Sequence, residues 1–282
     1  MQSVNELIDR LIDLSFAEDI GDGDHTTLCC IPEDAMGKSH LLIKEDGILA
    51  GVEIAKEVFA RFDPTMVVEV LINDGAKVHR GDIAMVVTGK VRSLLQTERL
   101  MLNIMQRMSG IATMTHRYVE RIEGTGAHVL DTRKTTPGMR MLEKMAVKIG
   151  GGVNHRIGLF DMILLKDNHI DFAGGISNAI NRCHAYLKER NLDLKIEIEV
   201  RNFDELNQVL ECGGVNRMML DNFTVADTKK AVDLINHRYE VESSGNITLD
   251  TIRSYAEQGV DYVSVGALTH SVKGLDMSFK AC

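Results

Sequence analysis

The 282-residue chain is 44% hydrophobic and 26% charged, which is typical of a folded globular protein rather than a disordered one. Its net charge of −9 argues against a general nucleic-acid-binding protein, which needs a basic face to neutralise phosphates. The apolar runs are too short to cross a bilayer, and the polar, acidic first residues predict no signal peptide. Five cysteines without CxxC spacing indicate reduced thiols, so we expect a cytoplasmic protein.

The first hundred or so residues combine helices with short strands. Apolar residues on one helical face predict a helix over residues 5–17. Strands are predicted around residues 39–44 and 67–71, with a helix over 52–62 between them. Asp-Gly and Gly-Asp pairs within residues 73–89 indicate turns between further short strands. A long helical pattern then runs from about Ser93 to Ile122.

After this helix the chain alternates regularly between strand and helix. Strands are predicted at residues 128–131, 162–165, 195–200, 217–220, 239–242 and 262–265, with a further short one at 153–156. Helices are predicted from Thr136 to Ile149, over 178–190, after caps at Asn202 and Thr224, and from near Thr248.

Repeated strand–helix units predict an α/β fold with a parallel sheet and right-handed crossovers. Such a sheet is either doubly wound or closed toward a barrel. No GxGxxG follows the first strand of the alternation, which argues against a dinucleotide-binding fold. About seven strands would make an incomplete α/β barrel, and we favour that architecture.

The strand ends carry an uneven set of charged residues. In a β/α barrel the loops after the strands converge on the active site. Any one of these residues alone is most simply a solvated loop residue. Together they include four basic side chains, two acids and a glycine-containing turn. They are Arg133, Lys134, Arg156 and Lys166, then Glu199 and Asp221, then Ser244-Gly245-Asn246.

The chemistry of these residue types divides into three parts. Arginines and lysines bind carboxylates and phosphates. Two acids among them suit Mg²⁺ held partly through substrate oxygens, or ribose hydroxyls. The Ser-Gly-Asn turn, beside Gly266 at the next strand end, offers backbone N–H groups to a terminal phosphate. The sequence therefore predicts two anionic ligands, one of them a sugar phosphate, together with a divalent cation.

Nine strings of the sequence, taken in order, resemble the quinolinate phosphoribosyltransferase family. DTRKTTPG and the pair NHRIGL and LLKDNH are the most specific of them. The set spans Glu18 to Ser271 and consists of EDIGDGDHTT, GILAG, ERLMLNIMQRMSGIAT, DTRKTTPGMR, KIGGGVNHRIGLFDMILLKDNH, IEIEV, MMLDNF, ESSGNIT and SVGALTHS.

The resemblance implies two domains and a homodimer, with a higher oligomer left open. An N-terminal α/β sandwich would comprise residues 1–107 joined by 271–282, and an open parallel α/β barrel residues 108–270. The sandwich of one subunit would cap the barrel of the other, so that the active site is shared.

The resemblance also implies a role for each residue of the site. Arg133, His155, Arg156 and Lys166 would face the quinolinate carboxylates, joined by Arg99 from the partner subunit. Thr132 would contact substrate through its hydroxyl or backbone. Lys134 would lie beside the reacting centre and pyrophosphate. Glu199 and Asp221 would bind Mg²⁺ and the ribose hydroxyls. The 5′-phosphate would be held by Ser244, Gly245, Asn246, Gly266 and Ala267.

The activity that the resemblance implies is phosphoribosyl transfer from phosphoribosyl pyrophosphate to quinolinate with decarboxylation. The products would be nicotinate mononucleotide, pyrophosphate and CO₂, in de novo NAD biosynthesis. Lys134, Glu199 and Asp221 would be catalytic, and His155 is open as a proton donor beside its binding role. Family members often have a second glycine at the position of Asn246, which leaves the turn geometry there open.

Two alternative functions remain at this point. One is a related phosphoribosyltransferase-like protein of the same fold, of the type associated with molybdate transport loci, which acts on another substrate. The other is a non-catalytic anion-binding barrel, which has no use for the two acids among the cations. Neither nucleic acid nor membrane is expected as a partner.

Overall fold

The computed structural model describes residues 3–282, which divide into two compact units. The first unit contains the chain up to His116, residues 135–151 and Leu268–Cys282. The second contains Arg117–Lys134 and Gly152–Ala267. The predicted division at residues 107/108 and 270/271 differs from this one chiefly in residues 135–151.

Both units contain helices as well as strands. The helices are α1 (Val4–Ile20), α2 (His25–Cys30), α3 (Val52–Phe62), α4 (Val91–Arg121), α5 (Arg140–Ile149), α6 (Asp167–Ala173), α7 (Ile176–Arg190), α8 (Phe203–Cys212), α9 (Val225–Ile235), α10 (Ile252–Ala256) and α11 (Ala267–His270). The strands are β1 (Met36–Ile43), β2 (Gly47–Ile48), β3 (Val67–Val70), β4 (Lys77–Val78), β5 (Ile83–Lys90), β6 (His128–Leu130), β7 (Ile163–Leu165), β8 (Ile196–Val200), β9 (Arg217–Asp221), β10 (Glu240–Ser244), β11 (Tyr262–Ser264) and β12 (Met277–Ala281). None of the helices in residues 3–282 is both long and apolar enough to cross a membrane.

The first unit is built on an antiparallel sheet of four strands in the order β12-β1-β5-β3. Side chains alternate across β1, so that Leu41 and Ile43 point into the core. The ring of Phe59 on α3 lies 6.0 Å from that of Phe279 on β12, which places this helix against the sheet. The last strand of the chain thus pairs within the same sheet as the first.

The helix α5 belongs to the first unit because its apolar face is buried there. It contacts α1, and Leu142, Ala146 and Val147 are fully buried. At its end Gly150 approaches α4 so closely that a Cβ atom would lie 2.4 Å from the carbonyl oxygen of Ala112. Only glycine fits this contact, which ties residues 135–151 to the long helix.

The second unit is a sheet of six parallel strands in the order β6-β11-β10-β9-β8-β7. The last strand of the alternation therefore pairs with the first, as in a barrel, and Val153 adds an isolated parallel bridge to Leu130. No pairing joins Val153 to β7 among the described residues, so the barrel is open there. The predicted open α/β barrel is confirmed, with six strands and a bridge.

A short strand at residues 153–156 does not form beyond the bridge. The backbone N–H of His155 donates to the carboxylate of Asp131 at 2.8 Å. The N–H of His155 is therefore bonded to a side chain and cannot also donate to the backbone of a neighbouring strand.

The predicted start of α5 at Thr136 is wrong. The helix begins at Arg140, because Gly138 has a φ of +81° and interrupts helical geometry. The N–H of Thr136 points to the carboxylate of Glu143, 3.3 Å away, instead of starting the helix. The last predicted helix likewise begins at Ile252 rather than near Thr248, and α6 was not predicted.

The predicted caps of α8 and α9 are confirmed. The side chain of Asn202 accepts from the N–H of Glu205 at 2.9 Å, and that of Thr224 accepts from the N–H of Asp227 at 3.1 Å. Each cap satisfies a backbone donor that the helix cannot pair internally. The helices that return the chain to the amino end of the sheet therefore start where the local sequence predicts.

Candidate active site

A pocket of about 160 Å³ opens in the second unit at the carboxyl ends of its strands. That volume suits a single substituted ring rather than a drug-sized ligand. Residues from several strand ends contribute, as expected for a barrel active site. The lining consists of Thr132, Arg133, Lys134, His155, Arg156, Leu164, Lys166, Met219, Glu242, Ser244 and Ser264.

Two arginines give the pocket a positive charge that residues 3–282 do not neutralise fully. The Nε of Arg133 is buried and has no hydrogen-bond partner in this part of the chain. Arg156 donates from Nη1 to the carbonyl of Met162 at 3.2 Å. Burial and the nearby charge of Arg133 lower the pKa of the Arg156 guanidinium. Such a pair favours an anionic ligand, because an anion would relieve both the repulsion and the unpaired donor.

Two aspartates accept hydrogen bonds from the backbone on either side of Arg156. Asp131 is fully buried and accepts from the N–H of His155 at 2.8 Å. Asp161 accepts from the backbone N–H groups of Ile157 and Gly158 at 2.7 and 2.9 Å. The loop that follows Arg156 is thereby held in one conformation, which preorganises the site.

The two predicted acids lie on neighbouring strands. Glu199 on β8 is almost fully buried, and its Oε2 pairs with Nζ of Lys166 at 2.9 Å. Asp221 ends β9 and accepts from Nδ2 of Asn222 at 2.8 Å. Carboxylate oxygens are the donors that Mg²⁺ prefers, and Mg²⁺ keeps several water or substrate oxygens besides. The donor set therefore fits a magnesium ion held jointly by protein and substrate.

The turn after β10 brings backbone close to backbone. Gly245 has a φ of +104°, and a Cβ atom there would lie 2.9 Å from the backbone nitrogen of Asn222 and 2.3 Å from its Oδ1. Asn246 also adopts a left-handed conformation, with a φ of +49°, which asparagine tolerates better than most residues. Its Nδ2 lies 3.4 Å from Oδ1 of Asn222. The turn thus forms without a second glycine.

The structure brings together some of the predicted site residues and separates others. Seven line the pocket: Thr132, Arg133, Lys134, His155, Arg156, Lys166 and Ser244. Six do not line it: Glu199 and Asp221 lie on strands of the same sheet, Gly245, Asn246 and Gly266 in the loops that follow strands, and Ala267 at the start of α11. Arg99 belongs to the first unit, where it lines a separate pocket with Glu18 and Asn103.

The ring of His155 is oriented by its neighbours. Its Nδ1 accepts from the backbone N–H of Arg156 at 2.7 Å, which places the proton of the neutral ring on Nε2. Nε2 faces Glu197 at 3.0 Å. Both ring nitrogens therefore face protein groups.

Sequence reasoning missed four residues of the lining and the acids behind it. The missed lining residues are Leu164, Met219, Glu242 and Ser264. The register pairs Glu199 with Met219 and Met219 with Glu242, so these residues form one row across the sheet. The alternation of IEIEV and EVESS could have indicated Glu197 and Glu242, because residues two apart in a strand face the same side as Glu199 and Ser244 do.

Comparison with known proteins assigns the chain to a family. Residues 111–280 match the model of "Quinolinate phosphoribosyl transferase, C-terminal domain", and residues 24–109 that of its N-terminal domain. The chain belongs to the quinolinate phosphoribosyltransferase family. The resemblance inferred from the nine sequence strings is confirmed.

Similar proteins within this family come from plants and bacteria. The "Quinolinate phosphoribosyltransferase [decarboxylating] 1b" of Nicotiana tabacum is 47% identical over 96% of this chain and 81% of its own length. The chloroplastic "Nicotinate-nucleotide pyrophosphorylase [carboxylating]" of Arabidopsis thaliana is 46% identical, with the same coverage. The crystal structure of NadC from Streptococcus pyogenes superposes with a TM-score of 0.92 at 39% identity, covering 99% of this chain and 98% of that one.

Proposed function

We propose that the protein transfers a phosphoribosyl group from phosphoribosyl pyrophosphate to quinolinate and decarboxylates the product. Nicotinate mononucleotide, pyrophosphate and CO₂ result, as a step of NAD biosynthesis. The observation that carries the proposal is the buried Nε of Arg133, which has no partner in the described part of the chain, beside the guanidinium of Arg156. Two adjacent cations in a pocket the size of one ring suit a ligand with two neighbouring carboxylates.

The reaction needs no nucleophile from the protein. The pyridine nitrogen attacks the anomeric carbon as pyrophosphate leaves, through an oxocarbenium-like transition state. Lys134 stabilises the departing negative charge, which is electrostatic catalysis by a preorganised group. The ring nitrogen is then positively charged and stabilises the electron pair left at C2 when CO₂ departs.

We assign a magnesium site to Glu199 and Asp221. These carboxylates would hold the ion together with oxygens of phosphoribosyl pyrophosphate and orient the ribose hydroxyls. When bound, Mg²⁺ supplies charge neutralisation for the leaving pyrophosphate. Lys166, which we assign to the quinolinate carboxylates, pairs with Glu199, which we assign to the metal, so the two binding sites are adjacent.

The 5′-phosphate site is assigned to the turn after β10 and the start of the segment after β11. Ser244, Gly245 and Asn246 would offer backbone N–H groups, joined by Gly266 and Ala267 at the neighbouring strand end. The left-handed φ angles of Gly245 and Asn246 support this assignment, because successive N–H groups in such a turn form a concave anion site.

We further propose a homodimer in which Arg99 of one subunit completes the quinolinate site of the other. Support comes from the location of Arg99 in the first unit, whereas the other carboxylate-binding residues lie in the second. A cytoplasmic location also remains a proposal, and the Arabidopsis relative is named chloroplastic.

The alternatives make different demands on the site. A relative of the molybdate-locus type shares the phosphate side but has no need of Arg99, Arg133, Arg156 and Lys166 together. A non-catalytic barrel has no need of Glu199 and Asp221 among cations. The presence of both sets favours an enzyme acting on quinolinate.

The deciding experiment is incubation of the purified protein with quinolinate, phosphoribosyl pyrophosphate and Mg²⁺, with nicotinate as the matched second substrate. We expect nicotinate mononucleotide from quinolinate and scarcely any from nicotinate. A monocarboxylate leaves part of the cationic cluster unpaired, and an unpaired buried charge is costly. Comparable rates with the two substrates would refute quinolinate as the specific substrate.

A further inference from the structure

A buried group of two acids and an arginine adjoins the pocket, and the proposed mechanism makes no use of it. Nε2 of His155 lies 3.0 Å from Oε2 of Glu197 and 3.5 Å from Oε2 of Glu242. Nη1 of Arg217 lies 3.3 Å from the same oxygen of Glu242. Both glutamate side chains are 0% exposed, and of the two Glu242 lines the pocket.

Burial is the main reason why Glu242 favours its protonated form. Burial and the neighbouring Glu197 carboxylate raise the pKa of Glu242 to about 8. The facing groups that oppose this rise are His155, the hydroxyl of Ser264 on β11 and Arg217 on β9. Burial raises the pKa of Glu197 as well, and the charges of Arg217 and Arg156 oppose that rise. A neutral Glu242 also avoids repelling the carboxylates of quinolinate.

We propose that Glu242 is the acid that protonates C2 of the pyridinium ring in the decarboxylation step. The bond between C2 and its carboxylate carbon breaks, CO₂ leaves, and the electron pair remains on C2. The O–H bond of Glu242 breaks and the C2–H bond forms as CO₂ departs, so that cleavage of the C–C bond depends on this proton. The resulting carboxylate takes a proton from solvent before the next turnover. This inference rests on the proposed function, because only a decarboxylation at C2 creates the need for that proton.

Other groups of the pocket are less suited to donate this proton. Nδ1 of His155 accepts the N–H of Arg156, and Nε2 faces the glutamates. The ammonium of Lys166 pairs with Glu199. His155, Glu197 and Glu242 also have the spacing of a metal site, within 4.8 Å of one another. The guanidinium of Arg217 lies 3.3 Å from Glu242 and would repel a metal ion bound there, which argues against a metal site.

The test separates phosphoribosyl transfer from decarboxylation in Glu242→Gln. Enzyme in excess is mixed with phosphoribosyl pyrophosphate, Mg²⁺ and quinolinate labelled in its 2-carboxylate, and pyrophosphate and CO₂ are measured in quenched samples. Pyrophosphate release should stay within about threefold of wild type, while CO₂ release slows roughly 100-fold or more, as is typical when a general acid is removed. Quinolinate mononucleotide should accumulate and be detected by mass spectrometry.

Glu240→Gln is the matched control. Glu240 lies two residues earlier on β10 and also pairs with Arg217, at 3.0 Å, but does not line the pocket. Both steps should proceed in this variant at close to the wild-type rate. A selective loss of CO₂ release in Glu240→Gln as well would show that the charge balance of the group matters rather than the acid, and would overturn the proposal.

Glu242→Gln should fold, because the amide replaces an acid that is neutral in the folded state. If it does not, Glu242→Asp keeps the acid one methylene further away and should slow CO₂ release selectively. Equal slowing of both steps, or CO₂ release at the wild-type rate, would refute the role of Glu242. A wild-type protein that forms neither product would instead refute the proposed function.

Discussion

At the scale of the residue, the most informative group of the pocket is the guanidinium of Arg133. The buried Nε of Arg133 has no partner within residues 3–282. An unsatisfied buried donor is costly, on the order of 1–3 kcal/mol, and a carboxylate ligand would remove that cost. We therefore expect Arg133 to contribute to substrate binding through a donor that the described residues leave unpaired.

Removal of one of these cations should weaken quinolinate binding selectively. Arg156→Ala deletes a charge-assisted, potentially bidentate partner, so the dissociation constant for quinolinate should rise roughly 10- to 100-fold. Isothermal titration calorimetry measures the change. Arg201→Ala is the matched control, because Arg201 pairs with Glu205 and Asp171 away from the pocket. An unchanged quinolinate affinity in Arg156→Ala would contradict the carboxylate role.

The acid at the end of β9 should act on the other substrate. Asp221→Asn removes a negative oxygen donor, so Mg²⁺-dependent binding of phosphoribosyl pyrophosphate should weaken about tenfold or more, whereas quinolinate binding should persist. Calorimetry with each ligand, with and without Mg²⁺, distinguishes the two effects. Asp233→Asn, on the exposed face of α9 beside Lys229, is the control. Normal binding of both ligands and the metal in Asp221→Asn would show that the role of this acid is misassigned.

At the scale of the element, the helices of the second unit depend on local caps. The side chain of Asn202 accepts the N–H of Glu205, and Glu205 in turn accepts the N–H of Arg201 at 2.7 Å. These bonds fix the start of α8 directly after β8, the strand that carries Glu199. The cap thus positions the strand-to-helix connection without touching the pocket.

Loss of this cap should lower stability without altering ligand binding. Asn202→Ala should reduce the free energy of unfolding by about 1 kcal/mol, because a backbone donor at the helix start loses its acceptor. Urea unfolding followed by circular dichroism measures the change. Asn207→Ala, at an exposed position within the same helix, should leave stability unchanged or raise it slightly. A loss as large in Asn207→Ala would mean that the cap is not the cause.

At the scale of the whole molecule, the two units carry different residues of the proposed quinolinate site. Arg99 is on α4 in the first unit, and Lys166 follows β7 in the second. The proposed homodimer joins Arg99 of one subunit to Lys166 of the other. For a twofold dimer with a shared site, the activity of a mixture of two variant subunits can be calculated.

Two inactive variants should restore activity when their subunits mix. Arg99→Ala and Lys166→Ala are each expected to be nearly inactive. After subunit exchange about half the dimers are mixed, and each mixed dimer holds one site with both defects and one with neither. Activity should therefore return to roughly a quarter of wild type. If exchange is verified by mass spectrometry and the mixture stays inactive, Arg99 serves its own subunit or has another role.

The sequence by itself determined the features that depend on neighbours along the chain. The strand–helix alternation, the caps at Asn202 and Thr224 and the cations at the strand ends all follow from local periodicity and short-range hydrogen bonds. The family could be inferred because its strings, such as DTRKTTPG, occur in order over most of the chain.

Only the tertiary structure decided the features that depend on residues far apart in sequence. The start of α5 was misplaced, because local signals at Thr136 and Pro137 do not reveal the left-handed φ of Gly138. The row that joins Glu199 to Glu242 exists only through the register of β8, β9 and β10. Burial of Glu242 and its closeness to Glu197 likewise come from separate strands, and together they raise the pKa of Glu242. Periodicity can show that a side chain faces inward, but which charges it meets there depends on the packing of the complete sheet.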